Sequence, residues 1–182
     1  HEGGWVNNSN DRGGETWRGV ARIKNPECEI WPIIDQRKTE SDCPANLDAD
    51  PDLPGILVKF YHDNYWIPIA GDSVPDQLIA DHLYDVSVNS GPSTAVKFLQ
   101  TSLNLLNRNQ QLYTDTTVDG KMGTDTIGTL ATCLQKRGHD LLLKDLVFEQ
   151  ACHYRQIMLA DSTQEEFLVS WYSRLDVTVN PS

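Results

Sequence analysis

The densest run of chemistry-bearing residues opens the chain. It reads His1-Glu2-Gly3-Gly4-Trp5, then Asn10-Asp11-Arg12-Gly13-Gly14-Glu15-Thr16. A carboxylate followed at once by two glycines suits the C-terminal end of a helix, because glycine takes up the left-handed conformation that ends one. The negative pole of the helix dipole and a neighbouring Trp5 that removes water both disfavour an ionised Glu2. Its pKa is expected to rise toward the range that a general acid needs. Asp11 falls among glycine and asparagine, where backbone donors keep a carboxylate ionised, and Thr16 is placed to orient a water against it. Two carboxylates held in different environments are the working parts of glycoside hydrolysis. The same residue types usually build only ordinary turns, so Gly-Gly and Asn-Asp strings by themselves read first as a solvated loop.

The elements that must position these groups read as mainly α. Residues 1–19 have turn chemistry interrupted by Trp5 and Trp17, and a weak strand signal follows at 18–24, so at most a small β-hairpin is expected near the start. Residues 42–55 read as a polar connection. Leu57, Phe60, Tyr61 and Tyr65 then recur at helical spacing over 56–66, with Pro68 as the stop. Residues 75–89 put Leu78, Ile79, Leu83 and Val86 on one face of an amphipathic helix. Ser90-Gly91-Pro92 breaks it, and Ser93 is expected to cap the next helix, to about Leu106. A polar turn over 115–123 precedes a helix over 124–136 that Gly138 ends. Two more helices are expected over 142–159 and 164–175.

Composition narrows the functional classes. Of 182 residues, 39% are hydrophobic and 23% charged, which suits a folded chain with a core rather than a disordered one. The 26 acidic residues against 15 basic ones give a net charge of −11. With no Lys/Arg cluster, this excludes a nucleic-acid partner that binds through phosphate neutralisation. No apolar run approaches the roughly 20 residues of a membrane helix, so no membrane span is expected, and no signal peptide is read before Glu2. The four cysteines show no zinc spacing. Cys28 and Cys43 flank a polar segment and either close a loop, if the compartment is oxidising, or stay free thiols, while Cys133 and Cys152 fall on apolar helix faces as small hydrophobes. Asp115-x-Thr117-x-Asp119-Gly120 begins like a calcium loop but has Thr126 where glutamate is required, so it reads as a turn. Asp48-x-Asp50-x-Asp52 fails the same pattern at Leu53 and Lys59. Asp85 and Asn89 share a helix face, where they either line a substrate cleft or brace two helices. Trp31, Trp66 and Trp171 read as core before sugar-stacking surface.

Taken together, these motifs resemble glycoside hydrolase family 108, N-acetylmuramidases that are also described as secretion activators and occur in bacteria and their phages. The opening Glu-Gly-Gly-aromatic and Asn-Asp-x-Gly-Gly-Glu-Thr carry the likeness first. Tyr65-Trp66 and the stretch from Leu83-Tyr84-Asp85-Val86 to Asn89-Ser90-Gly91-Pro92 are similar to later family segments. Val118-Asp119-Gly120 through Thr126, and Trp171-Tyr172-Ser173-Arg174, resemble parts of the predicted peptidoglycan-binding module attached to these enzymes. The 28–50 stretch has no counterpart in that pattern. The resemblance implies a lysozyme-like, mostly helical fold, with a catalytic region over 1–74 and a peptidoglycan-binding region over 75–182. It implies Glu2 as the essential acid, with Asp11 and Thr16 positioning the attacking water, and Trp5, Asp85 and Asn89 contacting peptidoglycan glycan strands. It also implies a helix of about ten residues ahead of the glutamate, where this chain has only His1, and activity is expected where that helix is present. No metal or cofactor is expected, and the implied location is the cell envelope or exported. The rival readings are a non-catalytic peptidoglycan-binding or secretion-associated module, and a lytic transglycosylase. Inversion is expected if the carboxyl groups stand roughly 6.5–9.5 Å apart, and retention at about 5–5.5 Å.

Overall fold

β-Formers between the turns shape the start of the chain. In the computed structural model, which describes residues 4–7 and 14–175, Trp5–Asn7 (β1), Glu15–Trp17 (β2) and Val20–Ala21 (β3) form an antiparallel sheet in the order β1-β2-β3. Trp5 stands opposite Trp17, Val6 opposite Thr16, and Asn7 opposite Glu15. Turn chemistry alone therefore misreads part of 1–19: aromatic and β-branched residues pairing across the strands outweigh the glycines around them. The strand expected over 18–24 shrinks to Val20–Ala21 because Arg18 and Gly19 make the turn. Both have positive φ, as a two-residue hairpin turn demands. At Gly19 a Cβ would collide with the Tyr61 hydroxyl, which donates to the Arg18 carbonyl at 2.9 Å.

The chain divides into two compact units, His1–Asp63 and Asn64–Ser182. In the first, the sheet packs with Ile30–Arg37 (α1), Ala45–Asp48 (α2) and Leu53–Tyr61 (α3), and a π-helical turn His62–Trp66 follows. Helix α1 has no counterpart among the sequence expectations. Pro32 sits in its first turn, where no backbone N–H is required, and Ile30, Trp31 and Ile34 fall on its buried face. The expected connection over 42–55 holds α2 and the start of α3. Asp50 is buried there: one carboxylate oxygen accepts the amides of Asp52 (3.0 Å) and Leu53 (3.2 Å). The other accepts Arg37 Nε at 2.8 Å and ties the end of α1 to the start of α3. Burial alone would raise the Asp50 pKa, yet these bonds hold it below the ordinary value. Trp17, Val20, Ile30, Trp31, Ile34, Leu47 and Leu53 form the core of this unit.

The second unit is helical. After short 3-10 turns come Gln77–Ser90 (α4), Pro92–Leu106 (α5), Thr124–Arg137 (α6) and His139–Ala160 (α7). A 3-10 turn, Ser162–Phe167, leads to Leu168–Tyr172 (α8). The helix expected over 164–175 is thus part 3-10 and part α. Asp76 caps α4 by accepting the Ile79 amide at 3.2 Å. The cap of α5 is Gly91 with Pro92 as first residue, and Ser93 lies two positions past the cap, inside the helix, too late for the role expected of it. Ile79, Leu83, Val96, Leu99, Leu103, Leu130, Cys133, Leu142 and Leu146 bring the apolar stripes of four helices into one core. Cys133 is buried as expected, but Cys152 lies on the exposed side of α7. The architecture is mainly α, and among the described residues no helix is long and apolar enough to cross a membrane.

Candidate functional site

Strand alternation sorts the hairpin residues onto two faces. Trp5, Glu15 and Trp17 share one face, and Thr16 is on the other, across from Val6. Glu15 draws the surrounding charges together. Its Oε1 accepts Trp5 Nε1 at 2.8 Å and Lys38 Nζ at 2.7 Å, and its Oε2 accepts Arg22 at 2.7 Å. Arg22 also grips Asp35 with two nitrogens, at 2.7 and 2.6 Å, and Lys38 closes the ring at 3.0 Å from Asp35. Two cations and two carboxylates from β2, the turn after β3 and α1 thus lock the sheet to the helix. Lys38 also lies 5.9 Å from the Trp5 ring centroid and Arg22 5.2 Å from that of Trp31.

The electrostatics follow from the contacts. Burial pushes the Glu15 pKa up, but the bonds from Lys38, Arg22 and Trp5 outweigh it and leave the carboxyl below its ordinary value. The hydrogen bonds from Arg22 and Lys38 likewise hold Asp35 well below the usual carboxylate range. Glu15 entered the sequence reading only as a letter of the opening motif. Its partner Lys38 lies 23 residues on, at the C-cap of a helix that went unexpected, so no local signal could pair them.

Glu2 and Asp11 lie outside the described residues. Thr16 is half-buried, and its hydroxyl donates to the Gly14 carbonyl at 3.3 Å, the first described position after 8–13. Trp5 is half-buried against the core of the first unit, with its indole N–H committed to Glu15. Thr16 and Trp5 therefore share the hairpin whose connecting segment contains Asp11.

Asp85 and Asn89 sit together on α4 in the second unit. Asn89 Nδ2 donates to the Asp85 carbonyl at 2.7 Å and to its carboxylate at 3.1 Å. The pair is internal to one helix, so it does not itself brace two. That bracing comes from Gln150 of α7, which donates to Asp85 at 3.3 Å, and from Arg174 at 3.5 Å. Trp171, expected in the core, is only half-buried: it stacks on Tyr154 (5.0 Å between centroids) and on Phe167 (5.8 Å). Trp66 is half-buried against the core, and Trp31 is fully inside.

The Asp119-Gly120 turn is held by side-chain amides of α5. Buried Gln100 donates to Asp119 at 3.0 Å, to the Lys121 carbonyl at 3.1 Å and to Thr126 at 3.2 Å, and accepts the Gly120 amide at 2.8 Å. Asn104 exchanges two 2.8 Å bonds with the Thr116 backbone, and Asn107 donates to Asp115. Both aspartates of the calcium-like pattern are thus bonded to side-chain amides of this helix or its C-cap. Among the described residues no group of three or more His, Cys, Asp or Glu is placed to hold a metal ion.

The model of the family described as glycosyl hydrolase 108 matches residues 1–91, half of the chain, and that of the predicted peptidoglycan domain matches residues 94–176. Among solved structures the chain is similar to one described as the structure of Brucella abortus SagA. The TM-score is 0.57 and the identity 24%, over 96% of this chain and 82% of that one. At this identity the likeness establishes a shared fold. No curated protein matches the chain.

Proposed function

This chain belongs to the glycosyl hydrolase 108 family, and we propose that it cleaves peptidoglycan as an N-acetylmuramidase, at the β-1,4 bond between N-acetylmuramic acid and N-acetylglucosamine. The family and the module behind it support a peptidoglycan hydrolase or binding role and a wall-facing, exported or envelope location. One observation carries the finer reading: a glycosidase family model over 1–91 is followed directly by a peptidoglycan domain model over 94–176. Catalytic and wall-recognising modules are thereby joined in one polypeptide.

In this reading Glu2 protonates the leaving glycosidic oxygen. Asp11, helped by Thr16, activates a water on the opposite face of the sugar, and the configuration inverts. Trp5, whose indole N–H is held by Glu15, contacts the glycan strand in this reading. Purified peptidoglycan incubated with the protein, reduced with borohydride and hydrolysed to its amino sugars, tests the bond assignment. Muramic acid recovered as its alcohol is the expected result. Glucosamine recovered as its alcohol in its place would assign the other glycosidic bond.

A further inference from the structure

The second unit contains a groove that the proposed catalysis does not use. The last turns of α7 form one wall, with Arg155 and Leu159. The 3-10 turn and α8 form the other, with Glu165, Leu168, Val169 and Tyr172. The groove encloses about 380 Å³, within the range of small-ligand sites. Leu159 and Val169 are 81% and 78% exposed, apolar surface whose cost in water an occupant would relieve. Arg155 and Glu165 stand on different walls, and neither forms an ion pair with another described residue. The wall carrying Tyr172 is anchored through the neighbouring Trp171, which stacks on Tyr154 of α7.

We propose that this groove binds the peptide stem of peptidoglycan, an inference that rests on the functional reading above. Stem peptides are short and carry alanine methyls, free carboxylates and commonly the ammonium of a diamino acid. The groove offers the complement of each: Leu159, Leu168 and Val169 for the methyls, Arg155 for a carboxylate, and Glu165 for the ammonium. A glycan strand asks for open aromatic faces, and here Trp171 is already stacked on two protein rings. Wall attachment through the stem leaves the glycan backbone free for hydrolysis.

Calorimetric titration of the full chain with the tripeptide L-Ala-γ-D-Glu-meso-diaminopimelic acid tests the proposal. Peptide-free glycan, prepared with an amidase, is titrated alongside. The tripeptide is expected to bind at one site, and Arg155→Ala and Leu159→Asp each to weaken it by about tenfold. Absence of tripeptide binding, or binding unaltered in both variants, overturns the proposal. So does glycan binding lost in those variants, or dimerisation of the chain that Leu159→Asp abolishes, since each puts another occupant in the groove. Hydrolysis of peptide-free glycan by the unaltered chain is read separately. Hydrolysis without tripeptide binding removes the groove assignment alone, and tripeptide binding without hydrolysis of any glycan removes the muramidase reading alone.

Discussion

Glu15 holds three side-chain donors at 2.7–2.8 Å while only a tenth exposed, so its charge is part of the folded state. Its folded pKa is depressed below 4.5, so the linked stabilisation is complete above that value and is lost as pH falls through the folded pKa. Asp35 shifts in the same direction and adds to the same acid limb. Glu15→Gln keeps the shape and removes the charge. It is expected to lower stability by about 1–2 kcal/mol at pH 7, with the gap to the parent narrowing steadily below pH 4. Urea unfolding across that range checks it; an undiminished gap in acid would show that packing rather than charge holds the hairpin to α1. The cysteines separate in the same way by environment. Cys152 is exposed, whereas Cys133 is buried and its thiol is pushed up by that burial. A thiol reagent at pH 8 should therefore modify Cys152 in the native protein and reach Cys133 only on unfolding, as peptide mapping would show.

Elements differ in how openly the sequence announces them. Helices α4, α6 and α7 carry long apolar stripes, with Gly138 as a stop, and they lie close to where periodicity puts them. Helix α1 spans only eight residues, too few for its apolar spacing to register, and its Pro32 occupies a permitted first-turn position. The three-residue strands β1 and β2 are too brief for alternation to register, and their identity comes from pairing. The residue types and spacing of the opening run, and then the resemblance to a known family, brought out the candidate acid, base and threonine, but the Glu15 network is tertiary and has no local signature. The Asp119-Gly120 turn was legible as a turn, while the Gln100 clamp that fixes it was not, because an interior glutamine looks like any other polar residue until its partners are placed. Gly120 has φ of 75°, and a Cβ there would lie 2.9 Å from the Ser93 carbonyl oxygen. Gly120→Ala should therefore destabilise the second unit by about 1–3 kcal/mol. Thermal unfolding checks this, and an unchanged midpoint would contradict the tight turn.

At the scale of the whole molecule, a net charge of −11 meets a polymer that is itself negatively charged. Encounter is opposed at low salt, so the initial rate on purified peptidoglycan should rise modestly as ionic strength increases and like charges are screened. A steep fall on adding salt would instead point to a local cationic patch steering the substrate. The account as a whole stands on Glu2 as the acid of a muramidase. Its most direct test is mass spectrometry of the soluble products released from purified peptidoglycan, by a protein that carries a helix ahead of Glu2 and by its Glu2→Gln variant. Muropeptides with reducing muramic ends from the parent, and none from a folded variant, are predicted. Anhydro-muramyl products would make it a transglycosylase, and no product from a folded parent that still binds peptidoglycan would contradict catalysis altogether.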